Sequence, residues 1–68
     1  MSGTGFTRIQ TNHGNIVEIK RDATKKGYDI AIDGKAVRHE DAKKPAPELL
    51  QALVNEYTKD GGRVTEWR

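Results

Sequence analysis

The segment Pro47–Lys59 (PELLQALVNEYTK) is the only strongly periodic part of the chain, and it constrains the fold most. At about 100° per residue, its apolar residues fall within an arc of about 140°. They are Leu49, Leu50, Leu53, Val54 and Tyr57. A stripe of this width predicts an amphipathic helix that packs against another surface. Because no other segment has a helical pattern, we expect that surface to be a β-sheet built from the rest of the chain.

Segments rich in β-forming residues lie before and after this helix. They are Phe6–Thr11, Ile16–Arg21, Tyr28–Ile32, Lys35–His39 and, after the helix, Arg63–Arg68. The sequence NHGN at 12–15 is dense in turn-forming residues, so the first two segments predict a β-hairpin with a four-residue loop. Asp33-Gly34 is the strongest signal for a second, tight hairpin, since a type I′ turn needs positive φ at both central residues.

The predicted order of elements is β-β-β-β-α-β. It predicts an α+β fold, a two-layer domain in which one helix covers one face of a mostly antiparallel sheet of four or five strands. If the last strand joined the sheet parallel to the strand before the helix, that connection should be a right-handed crossover. We expect Met1–Gly5 to be a flexible tail and residues 6–68 to form a single domain. The predicted core is Phe6, Ile9, Val17, Ile19, Tyr28, Ile30, Ile32, Val37, Leu49, Leu50, Leu53, Val54, Tyr57 and Trp67.

Size and composition exclude several classes of protein. The chain has 68 residues and no cysteine, so neither a disulfide nor a catalytic thiolate is available. This composition fits a reducing compartment, and we expect a cytoplasmic protein. No apolar run approaches the roughly 20 residues of a membrane span, and the first ten residues lack the apolar region of a signal peptide.

Residues that carry catalytic or metal chemistry are sparse. His13 lies in a predicted turn, and His39 is followed by Glu40 and Asp41. One histidine with two sequential carboxylates is too few ligands for zinc, which takes three or four protein ligands. The only serine is in the predicted tail, and no nucleophile or phosphate-binding motif is present. The sequence therefore predicts a protein that is not an enzyme, with no catalytic residues, no metal and no cofactor.

Basic residues concentrate around two predicted turns and suggest one possible ligand, a nucleic acid. The candidate residues for contact with a nucleic acid or another partner are Arg8, Lys20, Arg21, Lys25, Lys26, Lys35, Arg38, Lys43 and Lys44. A basic face or hairpin turn can follow the phosphate backbone. Acidic residues lie among the same cations, however, and few aromatic residues remain for base stacking. Whether Arg8 and Arg38 lie on the uncovered face of the sheet depends on strand register.

A protein partner is the other possible ligand. A sheet with a helix on one face leaves its second face and its edges open to another protein. We expect Ile16, Ala31, Ala36 and Val64 to form a small apolar patch on that second face. A free edge strand would also allow a symmetric homodimer.

The sequence therefore favours a small regulatory, adaptor or inhibitor-like module that binds a protein through the open sheet face or an edge strand. A nucleic-acid-binding domain that uses its basic turns is the alternative. Accessory proteins of bacteria and phages often have this size and layout, but no residue motif links the chain to them.

Overall fold

The strands that the structure describes form one sheet, and the described helix packs on one of its faces. The structure is a computed structural model that describes residues 6–22, 26–42 and 46–67. Its elements are β1 (Phe6–Gln10), β2 (Ile16–Asp22), β3 (Gly27–Ile32), β4 (Lys35–Asp41), α1 (Pro47–Thr58) and β5 (Arg63–Trp67). The sheet has five strands in the order β4-β3-β2-β1-β5, and all neighbouring strands are antiparallel. The predicted α+β fold is confirmed, while the predicted tail Met1–Gly5 lies outside the described residues.

The last strand joins the sheet at the edge opposite to β4. It pairs with β1 and not with the strand that precedes the helix. Because direction alternates from strand to strand, β5 runs parallel to β4 with three strands between them. The connection through α1 therefore links the two edges of the sheet and carries the helix over the strands between them.

The core lies between α1 and one face of the sheet. Its buried apolar residues are Ile9, Val17, Ile19, Tyr28, Ile30, Leu53 and Val54, and Ile32, Leu49, Leu50 and Tyr57 pack around them. Cross-strand pairs explain this arrangement, since Ile9 lies opposite Val17 and Ile19 lies opposite Ile30. Side chains of directly opposed residues share a face. These residues were predicted for the core, and the prediction is confirmed.

Phe6 was predicted to be buried under the helix, and that prediction is wrong. Alternation along β1 places Thr7 and Ile9 on the helix side, where both are fully buried. Phe6 therefore lies on the opposite face, across from Lys20, and is only half-buried. The polar Thr7 takes the core position that sequence reasoning gave to its aromatic neighbour.

A β-bulge in β4 removes Val37 from the core. Ile30 lies opposite Arg38 and Ala31 lies opposite Ala36, so Val37 is an extra residue with no partner across the strand pair. An extra residue of this kind disrupts the ladder locally and re-aims its neighbours. Val37 is 51% exposed, so its predicted burial is wrong.

A second bulge, in β5, changes which side chains share a face. Trp67 lies opposite Thr7, but Val64 lies opposite Ile9, so Thr65 is the extra residue. Without the bulge, Val64 and Trp67 would point to opposite faces, because they are three positions apart. With it, both lie opposite helix-side residues of β1. The predicted burial of Trp67 is wrong, since it is 46% exposed, and the predicted place of Val64 on the second face is also wrong.

The start of the helix depends on packing more than on capping. The residue before it, Ala46, provides no side-chain cap, and Pro47 occupies the first helical position, where its missing N–H costs nothing. The N–H of Ala46 donates a hydrogen bond to the hydroxyl of Tyr28 at 3.2 Å. Since Tyr28 belongs to the core, this bond fixes the helix start relative to β3.

Asp33 joins the two hairpins at their turns. Asp33 and Gly34 have φ of 53° and 87°, as the predicted type I′ turn requires. The Oδ1 atom of Asp33 accepts the backbone N–H of Ile16 at 3.0 Å, and Oδ2 accepts the side-chain amide of Asn15 at 2.7 Å. These bonds, that from Ile16 first, lower the pKa of the Asp33 carboxyl.

The lowered pKa of Asp33 predicts a pH-dependent contribution to stability. A carboxyl whose pKa is lower in the folded state stabilises the protein above its unfolded pKa, and this contribution is lost as the pH falls through the folded pKa. Asparagine also tolerates positive φ, so Asp33→Asn removes the charge and keeps the turn. In chemical unfolding, we expect the wild type to lose stability relative to Asp33→Asn as the pH falls below about 4. A constant difference between the two proteins across this range would contradict the role of the carboxylate.

Candidate binding surfaces

The sheet face away from α1, which we call the open face, is covered mainly by charged and polar side chains. Strand alternation and register place on it Phe6, Arg8, Gln10, Ile16, Glu18, Lys20, Asp29, Ala31, Ala36, His39, Asp41, Arg63 and Glu66. Of the four residues predicted to form an apolar patch there, the register places Ile16, Ala31 and Ala36 on this face. Charges of both signs alternate across the strands, as is usual for a solvated surface.

Arg8 is held on the open face by two carboxylates. Its Nε and Nη2 atoms donate to Oε2 of Glu18 at 3.3 and 3.1 Å, and Nη1 donates to Oε1 of Glu66 at 2.9 Å. Its guanidinium carbon also lies 5.5 Å from the centroid of the Phe6 ring. These contacts link β2, β1 and β5 side by side. Since both carboxylates face the same cation, the cluster carries no excess positive charge for a phosphate.

His39 is enclosed by two other carboxylates on the same face. Its Nδ1 atom lies 2.5 Å from Oδ1 of Asp29, and its Nε2 atom lies 3.2 Å from Oδ1 of Asp41. The two carboxylates therefore contact opposite nitrogens of the ring and do not converge on one point. Within residues 6–22, 26–42 and 46–67, no three side chains of the metal-binding types form a site for an ion.

Arg38 lies on the helix side of the sheet, because it is opposite the buried Ile30. Its Nη2 atom lies 2.8 Å from Oε2 of Glu40, and its Nη1 atom lies 2.9 Å from Oε2 of Glu56 on α1. Hydrogen bonds to Glu56 first, and then to Glu40, raise the pKa of Arg38. The side chain thus ties β4 to the helix and is not presented on the open face.

The other basic candidates do not gather into one basic surface. Arg21 is opposite Tyr28 on the helix side, with its guanidinium carbon 5.3 Å from the centroid of the Tyr28 ring. Lys20 is exposed on the open face, Lys26 is exposed in the turn before β3, and Lys35 is exposed at the start of β4. Lys25, Lys43 and Lys44 lie outside the described residues. The described cations are therefore distributed over both faces and two turns.

Strand β5 presents an exposed apolar pair at the edge of the sheet. Val64 is 38% exposed and Trp67 is 46% exposed, and the bulge at Thr65 brings both to the same side of the strand. Sequence reasoning missed this surface. A regular alternation through RVTEW predicts Trp67 beside Thr65, and nothing in these five residues signals a bulge.

A small cavity opens between the β1–β2 turn and the C-terminal end of α1. Its volume is about 160 Å³. It is lined by Thr11, Asn12, His13, Asn15, Val17, Ile32, Glu56, Tyr57 and Asp60. The apolar residues of the lining come from the strands and the helix, and the carboxylates come only from the end of the helix. Sequence reasoning considered His13 merely a turn residue, because the helix end that faces it lies more than forty positions away in the sequence.

The chain matches no protein-family model, and no curated protein or solved structure is significantly similar to it. Among the described residues, no helix is long and apolar enough to cross a membrane.

Proposed function

We propose that this protein is a small non-enzymatic binding module that engages a protein partner through strand β5. The observation that carries the proposal is the exposed pair Val64 and Trp67, which the bulge at Thr65 places on one side of an edge strand. Tryptophan is enriched among the residues that dominate binding energy in protein interfaces. Bulges also occur where a strand re-aims a side chain towards a function.

The opposite edge of the sheet supports the choice of β5. Strand β4 carries Lys35, Arg38, His39, Glu40 and Asp41 within its seven residues. Charged side chains on an edge discourage pairing with another chain. Strand β5 has fewer charged residues and two exposed apolar ones, so it is the better docking edge for a regulatory, adaptor or inhibitor-like domain in the cytoplasm.

The pairing of the arginines favours a protein over a nucleic acid. Arg8 and Arg38 each contact two carboxylates. Phosphate would have to displace these carboxylates, whereas productive phosphate contacts normally use arginine and lysine that are available to it. The apolar pair on β5 requires no such displacement.

The proposal predicts that partner binding is lost in Trp67→Ser. Tagged wild-type protein should capture a defined protein from a lysate of the cell that makes it. Trp67→Ser should reduce the recovered amount at least tenfold, because truncating an aromatic anchor typically costs about 2 kcal/mol or more of binding energy. The recovered proteins are identified and quantified by mass spectrometry.

Val37→Ser is the matched control. Val37 is also an exposed apolar residue at a bulge in an edge strand, so the change has similar chemistry on the other side of the sheet. Val37→Ser should capture the same protein as wild type. Equal capture by Trp67→Ser, or loss in Val37→Ser alone, would show that β5 is not the binding edge.

A further inference from the structure

We propose that the cavity beside the end of α1 binds the side chain of a lysine residue in the protein partner. The apolar part of the cavity would hold the methylene chain, and the carboxylate of Asp60 in its lining would face the ammonium group. This inference rests on a protein being the ligand, as proposed above. It does not depend on β5 being the main binding edge.

The size of the cavity limits what it can hold. Its volume is about 160 Å³, whereas pockets for drug-sized ligands span roughly 300–1,000 Å³. A cavity of about 150 Å³ is known to accept a molecule as small as benzene. The space beside α1 therefore suits one side chain and not a nucleotide or a cofactor.

The lining combines an apolar wall with a polar rim. Val17, which is 1% exposed, Ile32 and Tyr57 provide the apolar wall. Val17 belongs to the core, so the cavity reaches the protein interior. A long flexible side chain with an apolar stem and a charged tip suits such a site, because the stem is buried and the tip stays at the mouth.

The charge of the lining favours a cationic side chain over a neutral side chain of the same size. Glu56 and Asp60 both line the cavity. Glu56 is already matched by Arg38, whose Nη1 atom also lies 3.4 Å from the Tyr57 hydroxyl. Asp60 has no ion pair among the described residues, so it provides a carboxylate without a counter-charge. The chain's own Arg38 shows that two residues of this lining accept a cationic group.

The test titrates blocked amino acids, as probes, into the labelled full chain. Binding is monitored by amide NMR at slightly alkaline pH and constant ionic strength. Nα-acetyl-lysine N-methylamide should shift the amides of residues 11–17 and 56–60 saturably, with a dissociation constant in the millimolar range. The norleucine analogue lacks the ammonium group and should bind more weakly. Butylammonium chloride tests whether a free amine binds instead of a lysine residue.

Two variants with the same change of charge separate a local effect from a global one. Asp60→Asn should weaken binding of the lysine probe about threefold, the size expected for an exposed ion pair, and leave the norleucine analogue unchanged. Glu48→Gln removes a carboxylate at the other end of the helix and should have no effect on either probe. Trp67→Ser should also bind the lysine probe normally, so a failure of the proposed β5 edge is distinguishable from a failure of this site.

Several results would overturn the inference. They are the absence of saturable shifts at the cavity, equal binding of the lysine and norleucine probes, and equal weakening by Asp60→Asn and Glu48→Gln. Binding of butylammonium without binding of the blocked lysine would overturn the assignment to a partner's lysine residue.

Discussion

Replacing Leu53 with alanine is expected to lower the free energy of unfolding by about 2–5 kcal/mol, the range for truncating a buried leucine. Leu53 is 2% exposed and belongs to the buried cluster that joins α1 to the sheet. The small side chain would leave a cavity between the two layers. Domains of this length have little stability to spare, so this loss is a large fraction of the total.

Denaturant titration of wild type and Leu53→Ala measures this effect directly. Gln51→Ala is the control, because Gln51 is exposed on the same helix and alanine has an equal or better helix propensity. We expect Gln51→Ala to remain within about 0.5 kcal/mol of wild type. A Leu53→Ala variant as stable as wild type would contradict the packing of the helix on the sheet.

Gly27→Ala is expected to destabilise the protein by about 1–3 kcal/mol, as other substitutions that overfill a packed site do. Gly27 is buried in β3 opposite Asp41. A Cβ atom there would collide with the backbone carbonyl oxygen of Glu40 and would lie 2.6 Å from Nε2 of His39. The imidazole can turn away, but the carbonyl belongs to the strand backbone, so β3 and β4 must move apart.

Testing Gly27→Ala in the His39→Ala protein separates the collision with the imidazole from the collision with the carbonyl oxygen. In His39→Ala the ring is absent and the carbonyl remains, so Gly27→Ala should still be destabilising there, although by less. Thermal unfolding of the wild type, the two single variants and the double variant gives the loss of stability caused by Gly27→Ala with and without the imidazole. If Gly27→Ala left the stability of either parent protein, the wild type or His39→Ala, unchanged, that result would contradict the close approach of β3 and β4 at this position.

The helix and the hairpins were predictable because their signals are local. The apolar stripe of Pro47–Lys59 specifies a helix and its buried side by periodicity alone. Asp33-Gly34 specifies its turn because few residue pairs accept positive φ at both positions. In both cases, the residues that carry the signal are adjacent in the sequence, so no knowledge of distant partners is needed.

The bulges were not predictable, and they decide where the exposed apolar residues lie. Neither Val37 nor Thr65 differs in type from ordinary strand residues, so a regular alternation was the natural reading of both strands. One extra residue in a strand reverses the alternation beyond it. This is why Val37 was predicted for the core and is exposed, and why Val64 was predicted for the open face but lies on the helix side with Trp67.

The pairing of charges depended on contacts that the sequence does not reveal. Arg8 contacts Glu18 and Glu66, which are 10 and 58 positions away. The sequence shows these residues only as separate charges, because their proximity depends on the order of the strands in the sheet. Arg8 and Arg38, which appeared available for phosphate in the sequence, are therefore occupied by carboxylates from neighbouring strands and from the helix.

Photo-crosslinking from β5 tests the proposed binding edge most directly. Benzoylphenylalanine in place of Trp67 keeps an aromatic group at this position, and the same residue in place of Val37 probes the opposite edge. We expect irradiation in the source cell to yield a discrete crosslinked protein from position 67 and none from position 37. A product from position 37 alone, or the same products from both positions, would contradict the claim that this protein binds its partner through β5.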